Sequence, residues 1–129
     1  MKNTYNIKKI DISEIEHLKL IAEKDGILFP KKNLILLGAY LEGKLVGFGG
    51  FVLKKNRATI KCDFVLKDYR GKGVATQLHK IRLGILKVLQ CKEVDANATK
   101  MALKLHLNSG ARIIKKFKNG VTKVAYENI

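Results

Sequence analysis

The chain has 129 residues, 47% of them apolar, and a formal net charge of +15 from 26 Lys and Arg against 11 Asp and Glu. That length leaves room for one hydrophobic core and should bury roughly two thirds of the unfolded surface, so a single domain spanning residues 1–129 needs no covalent staples. Nothing in the N-terminal segment resembles an apolar signal core and no run reaches the length of a membrane span, which excludes a membrane partner and predicts a soluble cytoplasmic protein.

In chain order, "TYNIKKI" alternates weakly and predicts a short first strand. "DISEIEHLKLIAEKDG" carries Ile12, Ile15, Leu18 and Ile21 or Ala22 at helical spacing, with a Ser13/Glu16 capping box and Gly26 at its end. A polar link around Pro30 leads to three strand-like runs, "NLILLGAYLEG", "LVGFGGFVL" and "ATIKCDFVL", separated by the turns "EGK" and "KKNR". They predict an antiparallel meander. Val74, Ala75, Leu78, Ile81, Ile85, Val88 and Leu89 mark a long helix, which leaves His79 on its flank; His17 is expected to be exposed. "KEVDANA" reads as a strand and "TKMALKLHLNSG" as a short helix capped by Thr99. The last segment is two alternating runs joined by Asn119-Gly120, a strong hairpin signal. The order β-α-β-β-β-α-β-α-β-β defines a mixed α/β domain around a mostly antiparallel sheet. Cys62 and Cys91 are too few for a disulfide framework, lack metal-ligand spacing, and sit among apolar residues as buried free thiols.

The stretch "VLKDYRGKGVAT" places glycines between an apolar strand and an amphipathic helix, where they weaken both. The first turn of a helix presents unpaired N–H groups and the positive end of its dipole. Gly71 and Gly73 clear side chains from that mouth, Ala75 continues the clearance, and Arg70 and Lys72 add charge. This is the local chemistry of phosphate binding. The pattern is neither a P-loop nor a dinucleotide fingerprint.

An Arg-x-x-Gly-x-Ala run at Arg70, Gly73 and Ala75, after the third strand of a meander and before a long helix, resembles the GNAT superfamily of acetyl-CoA-dependent N-acetyltransferases. "TKMALKLHLNSGAR" resembles a later motif of that family, with Ala102 and Gly110 at matching places. The resemblance covers nearly the whole chain and implies a GNAT-like fold whose usual second helix is shortened to the segment around residues 25–32. It implies that acetyl-CoA is the co-substrate, with its pyrophosphate on Arg70, Gly71, Lys72, Gly73, Val74 and Ala75. The pantetheine arm would pair with the strand ending at Phe64, Val65 and Leu66, where the N–H of Val65 or Leu66 would polarise the thioester carbonyl. No metal is expected.

Two proton transfers follow from that chemistry. The acceptor amine must lose a proton, and Asp63, sharing a strand face with Val65, Lys61 and Thr59 by alternation, is the candidate base. Its alternative role is a surface carboxylate paired with Lys61. His106 stands where the family commonly has a Tyr as general acid toward the leaving thiolate; an imidazole near its ordinary pKa of ~6.5 could serve, or His106 could be structural. Tyr126 is a second candidate acid. Asn97 and Thr99 stand where the central strands should part and could meet ligand. Ala111 replaces the aromatic residue that usually follows the helix-ending glycine. Gly47, Gly49 and Gly50 in one strand indicate a bulge, a close ligand approach or close packing of a helix.

The charge is uneven. Residues 1–43 hold seven basic and six acidic residues, whereas residues 44–129 hold nineteen and five. A polyanionic partner, DNA or tRNA, is therefore expected, with the acceptor amine on a modified base or an aminoacyl-tRNA. Two alternatives stand beside it: a small-molecule or protein amine as acceptor, and a binding module that retains the fold without the chemistry. The family also often pairs subunits through edge strands, so the final hairpin is a candidate homodimer edge.

Overall fold

The computed structural model describes residues 4–127; residues 1–3 and 128–129, the ends of the expected 1–129 domain, lie outside them. The elements are β1 (Asn6–Ile10), α1 (Glu16–Lys24), β2 (Leu34–Leu41), β3 (Lys44–Lys54), β4 (Arg57–Val65), α2 (Val74–Val88), β5 (Glu93–Ala98), α3 (Lys100–Asn108), β6 (Arg112–Lys116) and β7 (Thr122–Tyr126). Their order is the one the sequence predicts. One sheet holds the strands as β1-β2-β3-β4-β5-β7-β6, antiparallel everywhere except between β4 and β5.

Helix α1 buries Leu18 and Ala22 on one face of the sheet, against Leu36, Phe48, Cys62 and Phe64. Val74 and Leu78 of α2 pack on the other face, with Leu37, Ala39 and Val46. The first helix starts one turn earlier than the Ser13/Glu16 box implies: a 3-10 turn covers Ile12–Ile15, and Glu14 Oε2 accepts the Asp11 N–H at 2.8 Å. Residues 25–32 form a loop rather than a shortened helix. Gly26, at φ +88°, closes α1, and the Ile27 N–H donates to Ala22 O at 3.1 Å; Ile27 and Phe29 then pack onto the α1 core. Cys62 is buried as expected, but Cys91 is only half-buried, because it lies in the turn after α2.

The long helix differs most from its pattern. Ile81, Val88 and Leu89 are exposed, whereas His79 and Arg82 are almost completely buried, at 1% exposure each. The buried face therefore carries a cationic and an imidazole side chain among Val74, Leu78 and Leu86. The glycines of β3 make room for them. A Cβ on Gly49 would lie 2.7 Å from Asp63 Oδ1 and 2.9 Å from Arg82 Nη1, and one on Gly47 would lie 2.9 Å from Val74 Cγ1. Helix packing accounts for Gly47 and, with the Asp63 carboxylate, for Gly49, which also lies opposite a bulge; a Cβ on Gly50 would instead meet Ile35 O of β2 at 2.5 Å.

A β-bulge in β4 sets the remaining geometry. Phe48 pairs with Phe64 but Gly50 pairs with Lys61, so Gly49 faces both Cys62 and Asp63, and Cys62 takes φ +65°. The extra residue breaks the alternation. Asp63 turns to the α2 face along with Ile60, away from the face that Thr59 and Lys61 share, so the expected grouping of Asp63 with those two does not hold.

Candidate active site

β4 and β5 pair only from Arg57 to Ile60 and from Glu93 to Ala96. Beyond that point they part, and a cavity of about 570 Å³ opens between them. Residues 59–63 and 96–99 form two of its walls; Ala102 and His106 of α3, the hairpin residues Phe117, Asn119 and Val121, and residues 26–28 complete it. The expected strand parting at Asn97 and Thr99 is present. Thr99 also caps α3, its Oγ1 accepting the Ala102 N–H at 3.4 Å.

The open edge of β4 offers a defined donor. Consecutive N–H groups along a strand point to opposite sides. Leu66 donates its N–H to Val46 O at 2.9 Å, so the Val65 N–H points toward the parting. Of the two candidates for polarising a carbonyl there, Val65 is the one with its N–H on the open side. Phe64 faces away, buried against Phe48 with ring centroids 5.4 Å apart.

At the end of β4, a turn through Gly71 and Gly73, at φ +76° and +86°, opens α2. The first intrahelical bond runs from the Gln77 N–H to Gly73 O at 3.0 Å, so the N–H groups of Val74, Ala75 and Thr76 precede it. A Cβ on Gly71 would meet nothing within 4 Å, and one on Gly73 only Gln77 Nε2 at 3.9 Å. The backbone at the mouth of the helix is therefore uncovered. Tyr5 holds the turn: its hydroxyl donates to Lys72 O at 2.8 Å and its N–H to Gln77 Oε1 at 3.2 Å. The Arg70 side chain folds back, donating from Nε to Val65 O at 2.9 Å and pairing with Asp25 at 3.0 Å. It braces the turn, while Lys72 is exposed at the mouth.

Behind the cavity wall runs a buried polar chain. Asp63 takes a bidentate ion pair from Arg82, with Nη2 at 3.0 Å from Oδ2 and Nη1 on Oδ1. Arg82 Nη2 lies 2.6 Å from His79 Nδ1, His79 Nε2 lies 2.7 Å from the Tyr126 hydroxyl, and that hydroxyl lies 2.6 Å from His106 Nδ1. Burial, reinforced by Arg82 and His106, drives His79 down to about 3. His106 is also lowered, chiefly by burial, and burial pushes Tyr126 well above the ordinary phenol range. All three are neutral near pH 7. The expectation that His106 donates near its ordinary pKa therefore changes: the proton it can offer is that of a neutral imidazole. Cys62, also on the cavity wall, is raised by burial to about 11 and remains a thiol at neutral pH.

Of the residues expected at the site, Asp63, His106 and Asn97 line the cavity, and Tyr126 reaches it through His106. Asp63 is half-buried, and its ion-pair partner is Arg82, not Lys61. His79, expected on the flank of α2, instead sits at the centre of the chain beside Arg82. Their spacing held the signal, since counting back from Leu86 in steps of four and three reaches Arg82 and His79 on one stripe. His17 is exposed as expected. Among the described residues, no group of three or more His, Cys, Asp or Glu could hold a metal ion, and no helix is long and apolar enough to cross a membrane.

Solved structures place the fold among N-acetyltransferases. A Klebsiella pneumoniae protein described as an acyl-CoA N-acyltransferase superposes with TM-score 0.80 at 18% identity, over 98% of this chain and 99% of that one. The PaiA N-acetyltransferase of Thermoplasma acidophilum, solved with coenzyme A, gives 0.77 at 14%, over 97% and 99%. The ribosomal-protein-S18-alanine N-acetyltransferase of Escherichia coli gives 0.79 at 12%, over 98% and 96%. Among curated proteins, none matches the sequence. Residues 3–110 match the acetyltransferase (GNAT) family, and the chain belongs to that family. Its class is that of the acyl-CoA-dependent N-acetyltransferases.

Proposed function

We propose that the protein transfers an acetyl group from acetyl-CoA directly to a primary amine carried on a nucleic acid, either an aminoacyl-tRNA or a modified base. The parting of β4 from β5 carries the reading: it turns the Val65 N–H to the open side and leaves Cys62 and His106 on the wall of one cavity, with the glycine turn following at the end of β4. The residues fit the donor: backbone N–H groups from Gly71 to Ala75 and the Lys72 ammonium take the pyrophosphate, and Phe64, Val65 and Leu66 offer a strand edge to the pantetheine arm. When bound, acetyl-CoA supplies an activated carbonyl and a thiolate leaving group.

Val65 stabilises negative charge on the carbonyl oxygen as the acceptor nitrogen attacks. The C–N bond forms, the C–S bond breaks, the sulfur gains a proton, and the acceptor nitrogen gives one up. The Cys62 thiol, raised by burial and hydrogen-bonded to Leu28 O at 3.3 Å, is a poor nucleophile, which favours direct transfer over an acyl-cysteine intermediate. An alkylammonium acceptor, with a pKa near ~10.4, must be deprotonated first. Asp63 is the carboxylate at the wall; with both oxygens engaged by Arg82, its part is to orient the water that carries that proton to bulk solvent. His106, on the wall of the same cavity, would serve the leaving sulfur as a hydrogen-bond donor.

Acceptor chemistry is read from charge. Arg112, Lys115, Lys116, Lys118 and Lys123 stud the β6–β7 hairpin, whose tip residues Phe117, Asn119 and Val121 form part of the cavity mouth. A polyanionic carrier of the amine fits that rim. A protein N-terminus is the second reading, favoured by the likeness to the ribosomal-protein-S18-alanine enzyme. Transfer of labelled acetyl groups separates the two. On the first reading label enters charged tRNA or modified DNA, and acceptor KM rises at least about tenfold between ~50 and ~200 mM salt. Label in short peptides, with KM insensitive to salt, would replace it with the second.

For the donor site, calorimetry with acetyl-CoA should show binding to the wild type and at least about a tenfold loss in Gly73→Asp, which sets a carboxylate where the diphosphate sits. A folded Gly73→Asp protein that binds as tightly as wild type would place the donor elsewhere.

A further inference from the structure

The buried chain has a direction. Arg82 is a donor only, and its Nη2 bonds His79 Nδ1 at 2.6 Å, so that nitrogen must accept. A neutral His79 then carries its proton on Nε2 and donates it to the Tyr126 oxygen at 2.7 Å. Tyr126 has one hydroxyl proton, and with His79 donating to its oxygen, that proton goes to His106 Nδ1 at 2.6 Å. His106 is left protonated on Nε2, and with Nδ1 turned to Tyr126, Nε2 is the ring nitrogen on the cavity side.

We propose that Arg82, His79 and Tyr126 are positioning residues that fix His106 in its Nε2–H tautomer, so that the cavity always faces a neutral N–H donor and never an imidazole lone pair. The proposal rests on the acyl-transfer reading for its consequence, but its geometry stands without it. Asp63 holds Arg82 in place from β4, and a Gly49 without a side chain admits the pair. The groups facing His106 from neighbouring elements are Tyr126 on β7, His79 and Arg82 on α2, and Asp63 on β4. A donor of this kind is preorganised for the sulfur that leaves, and it is not lost as pH rises through the ordinary histidine range. An unrestrained His106 would spend part of its time presenting a lone pair, which repels a thiolate.

Nitrogen-15 NMR of the histidine side chains in the wild type tests the tautomers directly. The expected spectrum has His79 and His106 both neutral, both protonated on Nε2 and both accepting at Nδ1, unchanged from pH 6 to pH 8. A His106 protonated on Nδ1, or an imidazolium at pH 7, overturns the proposal whether or not the enzyme turns over. Kinetics of Tyr126→Phe supply the second reading. Without the hydroxyl, kcat should fall at least about tenfold while KM for acetyl-CoA stays within about twofold. A folded Tyr126→Phe enzyme with unchanged kcat also overturns it. If the wild type transfers no acetyl group yet shows both Nε2–H tautomers, the acyl-transfer reading fails and the directed chain stands.

Discussion

Asp63→Asn is expected to destabilise the protein by about 3–5 kcal/mol, although the substituted side chain is nearly isosteric. Removing one partner of a buried ion pair strands the charge of the other. Here that other is Arg82, whose side chain is 2% exposed, against 30% for Asp63. The reverse change, Arg82→Met, leaves a carboxylate that the cavity can hydrate, and should cost less. An apolar double replacement, Asp63→Leu with Arg82→Met, should recover much of the loss, because it removes both desolvation penalties. Urea unfolding of the four proteins measures all of this. Asp63→Asn within about 1 kcal/mol of wild type would mean that Arg82 finds enough hydrogen bonding elsewhere, from Gly50 O and His79 alone.

The same pair shows what periodicity could and could not reveal. The meander, the glycine turn, the Thr99 cap and the Asn119-Gly120 hairpin were legible because each is a local pattern with a local cause. Gly120 does take φ +88°, and Asn119 Oδ1 accepts the Val121 N–H at 3.0 Å. His79 and Arg82 were not, since a polar residue on an amphipathic helix is ordinarily assigned to its wet face. Only three-dimensional complementarity, an acid brought round by a bulge and a glycine missing its side chain, makes the dry face their place. The bulge itself was illegible: Cys62 at φ +65° carries no glycine to announce it, and its one-residue slip changes which face Asp63 joins. His106 could be placed by family resemblance, but its protonation state depends on Tyr126, twenty residues on in the chain.

The buried imidazoles make stability depend on pH in a window the sequence does not disclose. His79 titrates at about 3 in the fold against about 6.5 when unfolded, and His106 is displaced in the same direction. Below pH ~6.5 the unfolded chain therefore binds protons that the native state refuses, and stability falls as pH falls. The contribution is complete above pH ~6.5 and is lost progressively toward pH ~3 for His79, at up to ~1.4 kcal/mol per pH unit for each histidine in its window. Urea midpoints taken between pH 6.5 and pH 5, before most carboxylates titrate, isolate the effect. The wild type should lose stability across that interval, and a double His79→Gln, His106→Gln protein should give a flatter line. A flat wild-type line would mean that both imidazoles accept protons in the native state, and neither could then serve as a fixed neutral donor. Acid lability and the directed hydrogen-bond chain thus share one cause, the exclusion of water from the space between α2, α3 and β7.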